Sequence, residues 1–220
     1  MSAPPTLYLR WCRNDQRWPQ GAEGAYLSRT PAEFGERILA YRRWQDRQAG
    51  ILGRVLLDHL YRAVLQPDKG PDRWAADAYR RPYLPDHPDF DFNISHTDGL
   101  VACVAAAGAG RVGVDVEREG AVDITEFRRV FTAAEYAGLA ALPDPTEEFY
   151  RLWTRKEAVM KADGRGFYLD AAGIDCLTER VTIGGRSYAV RPLDLRPGYA
   201  VHVAAARVGE VEVREWTSRG

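Results

Sequence analysis

Three short stretches of the chain carry side chains that could do chemistry. The first is Val112-Gly113-Val114-Asp115-Val116-Glu117, where apolar and acidic residues alternate. A strand has a period of two, so Asp115 and Glu117 share a face. Neighbouring carboxylates repel unless a cation stands between them. Mg²⁺ suits such a pair, because it takes one or two carboxylates, keeps waters and adds phosphate oxygens of a substrate. A half-exposed strand with a wet acidic face accounts for the same pattern. The second stretch is Trp153-Thr154-Arg155-Lys156-Glu157-Ala158-Val159-Met160-Lys161. At about 100° per residue, Phe149, Trp153 and Met160 share one helix face, with Leu152 and Val159 at its shoulder. Lys156 falls inside that apolar arc, and Glu157 and Lys161 sit together on its margin. Taken alone, Glu157 and Lys161 read as a surface pair worth a few tenths of a kcal/mol. A lysine in an apolar arc must snorkel or meet an anion. The expectation for Lys156→Met is intact stability with lost turnover.

The third stretch is Phe92-Asn93-Ile94-Ser95-His96-Thr97-Asp98-Gly99. It reads as the end of a strand opening into a turn. Ser95, His96 and exposed backbone N–H groups there could donate to phosphate oxygens. Ordinary Asn, Ser and Asp turn chemistry explains the same residues. A Ser/His/Asp hydrolase finds no support, since the chain has no Gly-x-Ser-x-Gly elbow.

The elements that must position these residues alternate between strand and helix signals. Residues 6–11 read as a first strand. Thr30-Pro31-Ala32-Glu33 reads as a capping box opening one long helix over 34–65. Residues 67–88 read as loop with short strand pieces, and 90–94, 100–106 and 112–117 as three strands. Helical signals return at 124–130. Thr132-Ala133-Ala134-Glu135 is a second capping box, whose helix ends near Leu142-Pro143. The strongest helix, 147–162, stops at Asp163-Gly164. Residues 181–216 read as strands with turns at Gly184-Gly185 and Pro197-Gly198. Val101-Ala102-Cys103-Val104 is echoed by Val201-His202-Val203-Ala204, and each is followed by carboxylates two apart: Asp115 and Glu117, then Glu210 and Glu212. A repeat of about 100 residues suggests two similar halves.

The bulk numbers restrict partners and compartment. In 220 residues, 30 Lys and Arg face 31 Asp and Glu, a formal charge of -1. No global basic field exists to attract nucleic acid, so attraction for an anion must be local. Cys12, Cys103 and Cys176 are odd in number and fit neither a zinc site nor a disulfide framework, which points to a reducing compartment. The start has no signal-peptide pattern. The longest nearly apolar run, 100–110, is about half of the ~20 residues a membrane helix needs. The expectation is a cytoplasmic protein with neither nucleic acid nor membrane as partner.

Taken in order, Asn93-Ile94-Ser95-His96, Val112-Gly113-Val114-Asp115-Val116-Glu117 and Trp153-x-x-Lys156-Glu157-x-x-x-Lys161 resemble the motifs of 4′-phosphopantetheinyl transferases of the Sfp type. The resemblance runs from about Arg47 to Lys161 and more loosely beyond. It implies an α+β fold, a pseudo-dimer of two similar α/β halves, each a small antiparallel sheet packed with helices. The expected halves are 1–112, with the coenzyme A phosphate contacts, and 113–220, with the carboxylates, the site lying at their interface. It implies a monomer and a reaction in which a carrier-protein serine attacks the β-phosphate of coenzyme A and 3′,5′-ADP leaves. Asp115, Glu117 and Glu157 would then hold Mg²⁺, with Asp115 also a cofactor contact. Lys161 would stabilise the leaving phosphates, and Glu157 or a metal-bound water would take the serine proton. Ser95 and His96 would hold coenzyme A phosphates, His96 the 3′-phosphate. Arg81, in Tyr79-Arg80-Arg81-Pro82, stands where the family has the lysine of Gly-Lys-Pro, with Arg80 in place of the glycine. Arg43, Arg47 and Arg54 compete as the N-terminal grip on the 3′-phosphate, Arg47 preferred. Glu135 matches an acidic position near the metal but is also the capping glutamate. Other readings are another Mg²⁺-dependent phosphodiester enzyme and a non-catalytic coenzyme A- or carrier-binding module; the lack of a P-loop disfavours the former, and four intact charged residues the latter.

Overall fold

A computed structural model describes residues 3–19, 21–28, 32–67 and 73–217. The fold is α+β. It begins with strand β1 (Leu7–Asn14), short helices α1 (Ala22–Leu27) and α2 (Ala32–Leu39), and the long helix α3 (Trp44–Leu65). A two-residue pairing of β2 (Ala75–Ala76) with β3 (Pro82–Tyr83) precedes the hairpin of β4 (Phe90–Thr97) and β5 (Gly99–Ala107). Then come β6 (Val112–Arg118), a 3₁₀ turn over Ile124–Phe127, α4 (Ala133–Ala140) and α5 (Thr146–Asp163). The chain finishes with β7 (Arg180–Ile183), β8 (Arg186–Pro192), β9 (Tyr199–Ala205) and β10 (Val211–Glu215).

The strands form two four-stranded sheets, ordered β10-β1-β5-β4 and β6-β9-β8-β7. Side-chain alternation explains how they stack. Leu7, Leu9 and Trp11 of β1 and Leu100, Ala102 and Val104 of β5 meet Val112, Val114 and Val116 of β6 and Val201 and Val203 of β9 in one buried core between the sheets. The intervening residues point the other way. Cys12, Val101, Cys103 and Ala105 pack under Leu52, Leu56 and Leu60 of α3. On the second sheet Ala204 packs with Ala158, Val159 and Ala162 of α5. The result is helix, sheet, sheet, helix.

The succession β1-α3-β4-β5 has the same order and pairing as β6-α5-β8-β9: first strand beside the last, last beside the middle one, all antiparallel, helix against the sheet. The echo of Val101 at Val201 therefore falls on matching strands, β5 and β9. The carboxylates that follow do not match. Asp115 and Glu117 lie on the first strand of the second unit, whereas β10 crosses back to pair in parallel with β1. There Glu212 bonds Arg10 at 2.8 Å.

The expected long helix over 34–65 is corrected by a break. α2 ends at Leu39 and α3 starts at Trp44. The Arg47 guanidinium donates to the carbonyls of Tyr41 (2.9 Å) and Arg42 (3.2 Å) across the break. Ile38 packs beside Gly50, so the break lets one short helix fold back on the next. The capping box at Thr30-Pro31 lies outside the described residues. The second one forms: Thr132 Oγ1 accepts from the Glu135 N–H, and Glu135 accepts from the Thr132 N–H.

Candidate functional site

The site lies where two sheet edges meet. β4 and β6 are both edge strands, and they are not joined by a backbone ladder. Instead, alternate side chains of β4 accept from alternate N–H groups of β6. The Val112 N–H donates to Asp91 (2.7 Å), Val114 to Asn93 (3.0 Å), Val116 to Ser95 Oγ (3.4 Å) and Arg118 to Thr97 Oγ1 (3.3 Å). Each step joins residues 21 apart. An edge strand's free donors are thereby satisfied without adding a strand. Ser95 and His96 thus belong to a paired strand, opposite Ala102 and Val101. The expected turn with exposed N–H groups is corrected: it starts only at Asp98.

On the α5 side of β6, Gly113, Asp115 and Glu117 share a face. Gly113 allows the helix to come down on the strand, since a Cβ there would stand 2.0 Å from the Ala158 carbonyl oxygen. This close approach sets Glu157 and Lys161 beside the strand carboxylates. Asp115 is buried. Its Oδ1 accepts from Lys161 Nζ at 2.5 Å and from Ser95 Oγ at 3.0 Å. Lys161 Nζ also donates to Ser95 Oγ at 3.0 Å. Asp115 Oδ2 is buried with no hydrogen-bond partner. Glu117 accepts from Thr97 Oγ1 at 3.0 Å.

The electrostatics express a surplus of negative charge. Burial, then the Asp115 charge, pushes the Glu117 carboxyl above its ordinary range. Glu157 is raised for the same two reasons, with Lys161 opposing. His96 is exposed on β4, and desolvation by its neighbours holds the imidazole below its usual value, with Asp46 opposing and Lys161 acting in the same direction. Among the described residues no three His, Cys, Asp or Glu side chains gather into a group that could hold a metal ion. The donor set nevertheless fits a hard cation. One carboxylate oxygen is buried and unpartnered, and two further carboxylates are raised partly by the charge that carries it.

The two cations expected to grip the cofactor are already engaged. Arg81 is only 8 % exposed. Its guanidinium donates to Asp91 Oδ2 (2.6 Å), the carbonyls of Phe92 (3.0 Å) and Val112 (2.8 Å), and the Lys161 carbonyl. It therefore ties β4, β6 and α5 together rather than offering a free cation. Arg80 before it has φ 65°, the left-handed region that favours glycine. Arg47 caps the α2–α3 break and lies 3.7 Å from Glu23. A cavity of about 380 Å³ opens beside Arg81, lined by Asp77, His87, Asp91 and Arg111, but none of the three site carboxylates lines it.

Lys156 meets an anion, one of the two outcomes that its place in the apolar arc allowed. It neither snorkels nor meets the site: 1 % exposed, it donates to Glu135 Oε2 (2.9 Å) and to the carbonyls of Ala171 (2.9 Å) and Ile174 (2.5 Å). Glu135 Oε1 accepts from the Cys176 N–H at 2.8 Å. The chain after α5 folds over that face of the helix and covers the lysine. Glu135 serves as helix cap and as counter-ion at once.

His202 escaped the sequence reading. It stands opposite Asp115 on β9 and is 2 % exposed. Its Nδ1 lies 2.8 Å from Thr154 Oγ1 of α5. Burial, then Arg155 and Arg151, holds it down to about 3, so the ring is neutral. Alternation from Val201 and Val203 was the available signal, since it turns His202 toward the helix.

Known proteins share much of this sequence. The model of the 4′-phosphopantetheinyl transferase superfamily matches residues 111–204, the second β-α-β-β unit. The 4′-phosphopantetheinyl transferase Sfp of Bacillus subtilis (strain 168) is 28% identical over 204 residues, covering 87% of this chain and 89% of the relative. Another 4′-phosphopantetheinyl transferase of Bacillus subtilis is 30% identical over 159 residues, 70% of this chain and 69% of its own. The human L-aminoadipate-semialdehyde dehydrogenase-phosphopantetheinyl transferase is 30% identical over 195 residues, 80% of this chain and 63% of its own. With the three motifs brought to one seam and relatives matched along most of both chains, the protein belongs to the 4′-phosphopantetheinyl transferase family.

Proposed function

We propose that the β4–β6–α5 seam is where this enzyme moves the 4′-phosphopantetheine group of coenzyme A to a serine of an acyl or peptidyl carrier protein, releasing 3′,5′-ADP. The observation that carries this assignment is Asp115, buried, with Lys161 on one oxygen and the other left without a partner. Asp115, Glu117 and Glu157 would hold Mg²⁺, which when bound supplies positive charge to the pyrophosphate oxygens. Lys161 lies on the same carboxylate and is placed to meet phosphate charge as it develops on the leaving group. Glu157 is the candidate to receive the serine proton, since a carboxyl raised by burial is a stronger base. His96 is the candidate for coenzyme A phosphates, while the Ser95 hydroxyl, whose proton goes to Asp115, is assigned to holding that carboxylate. Among the N-terminal cations we retain Arg47 for the 3′-phosphate, because its carbonyl bonds are exposed and an anion can replace them. Arg81 is assigned to holding the seam.

The two β-α-β-β units support reading the chain as a pseudo-dimer that supplies both sides of the seam, divided near 112 and 113 and working as a monomer. The described helices include none long and apolar enough to cross a membrane, and all three cysteines are buried and free, which supports a cytoplasmic setting. The test is incubation with coenzyme A, Mg²⁺ and apo carrier proteins, read by intact mass. The carrier should gain one phosphopantetheine. No gain across fatty-acid, polyketide and peptide carriers would overturn the assignment.

A further inference from the structure

We infer that Thr97 is a positioning residue for Glu117, and that the site carboxylates take their orientation from β4 as much as from their own strand. A hydroxyl has one proton to give and lone pairs to accept. Thr97 Oγ1 spends its proton on Glu117 Oε2 at 3.0 Å and accepts the Arg118 N–H at 3.3 Å. Both bonds are fixed by the edge-to-edge seam, so the hydroxyl cannot turn without opening it. Ser95 repeats the arrangement one step along, donating to Asp115 and accepting from Val116. In both cases a β6 N–H is linked through a β4 hydroxyl to the carboxylate one residue before it. Glu117 is thus held from β4 through Thr97. That is the task of the groups that stand behind metal-binding carboxylates, whose loss lowers metal affinity or activity by about 10–100-fold.

This inference rests on the metal reading of the seam, and its test separates the two. The substrate-free protein is melted against increasing MgCl₂ as wild type, Thr97→Val and Thr97→Ser. Wild type should gain stability with metal. Thr97→Val should need about 10–100-fold more metal for the same gain. Thr97→Ser, which keeps the hydroxyl, should return the midpoint to that of wild type. In transfer assays the Mg²⁺ requirement should move in parallel while the KM for coenzyme A stays in place. Should Thr97→Val not fold, Thr97→Cys, close in size with only a weak donor, is read the same way. A lowered melting temperature with an unchanged metal midpoint would overturn the inference, leaving Thr97 only a fastener of the seam. A wild type that responds to Mg²⁺ in neither melting nor transfer would remove the metal reading and Thr97's part with it.

Discussion

Two lysines on α5, five positions apart, make two very different ion pairs. Lys156 meets Glu135 with both side chains buried, and backbone groups satisfy what remains. Lys161 meets Asp115 at 2.5 Å, yet its own side chain is 29% exposed and one Asp115 oxygen has no partner. Two more carboxylates nearby are pushed toward protonation. The first pair is closed and the second is open. A closed pair can only hold the fold together. An open one keeps bonding capacity for a ligand, and sequence spacing alone does not distinguish them.

The comparison breaks most visibly on stability. Lys156→Met would leave Glu135 buried and unpaired, a loss of about 3–5 kcal/mol. Urea denaturation measures it, and a loss under about 1 kcal/mol would mean the pair is not closed. This reverses the expectation of intact stability drawn from the helical wheel.

Arg81 and Arg47 sharpen the same contrast on the arginines. Arg81→Ala removes a cation from four acceptors, two of them buried, with about 1–3 kcal/mol lost for each buried one left unsatisfied. It should lower the melting temperature and kcat, with the KM for coenzyme A almost unchanged. Arg47→Ala should do the opposite, raising that KM about tenfold, as for one lost charge-assisted bond, with little change in melting. Kinetics and melting on both variants decide it, and a shared pattern would end the distinction.

His202 tests the buried side of α5 with pH. Its folded value, about 3, lies below the ordinary 6.5. Its contribution is therefore complete above about 6.5 and is lost as pH falls toward about 3, at up to ~1.4 kcal/mol per pH unit. Urea midpoints between pH 7 and pH 5 should show this slope, and His202→Leu should flatten it. An equal slope in the variant would place the titration elsewhere.

The sequence disclosed which charged residues stand together better than what supports them. Period-two alternation placed Asp115 and Glu117 on one face, and the 157–161 spacing placed Glu157 with Lys161. The capping box at Thr132, the stop at Gly164 and the likeness of 101 to 201 also survive in the fold. The rest depends on packing that is non-local in the chain. The break at 40–43 contains neither Gly nor Pro, and it forms because Ile38 folds back on Gly50. The burial of Lys156 depends on residues 171–176 crossing the helix. Arg81 has the same charge as a phosphate-gripping cation, and only its four acceptors reveal its work. The seam itself, side chains of one edge strand serving the backbone of another, has no signal in either strand alone.

The central claim is that the open pair is the place of reaction. Asp115→Ala tests it most directly, with carrier modification followed by intact mass and coenzyme A binding measured on the same sample. The account predicts transfer slowed by about a thousandfold or more, the equivalent of several kcal/mol of charge stabilisation, with coenzyme A still bound and the fold intact. Transfer at the wild-type rate would contradict it.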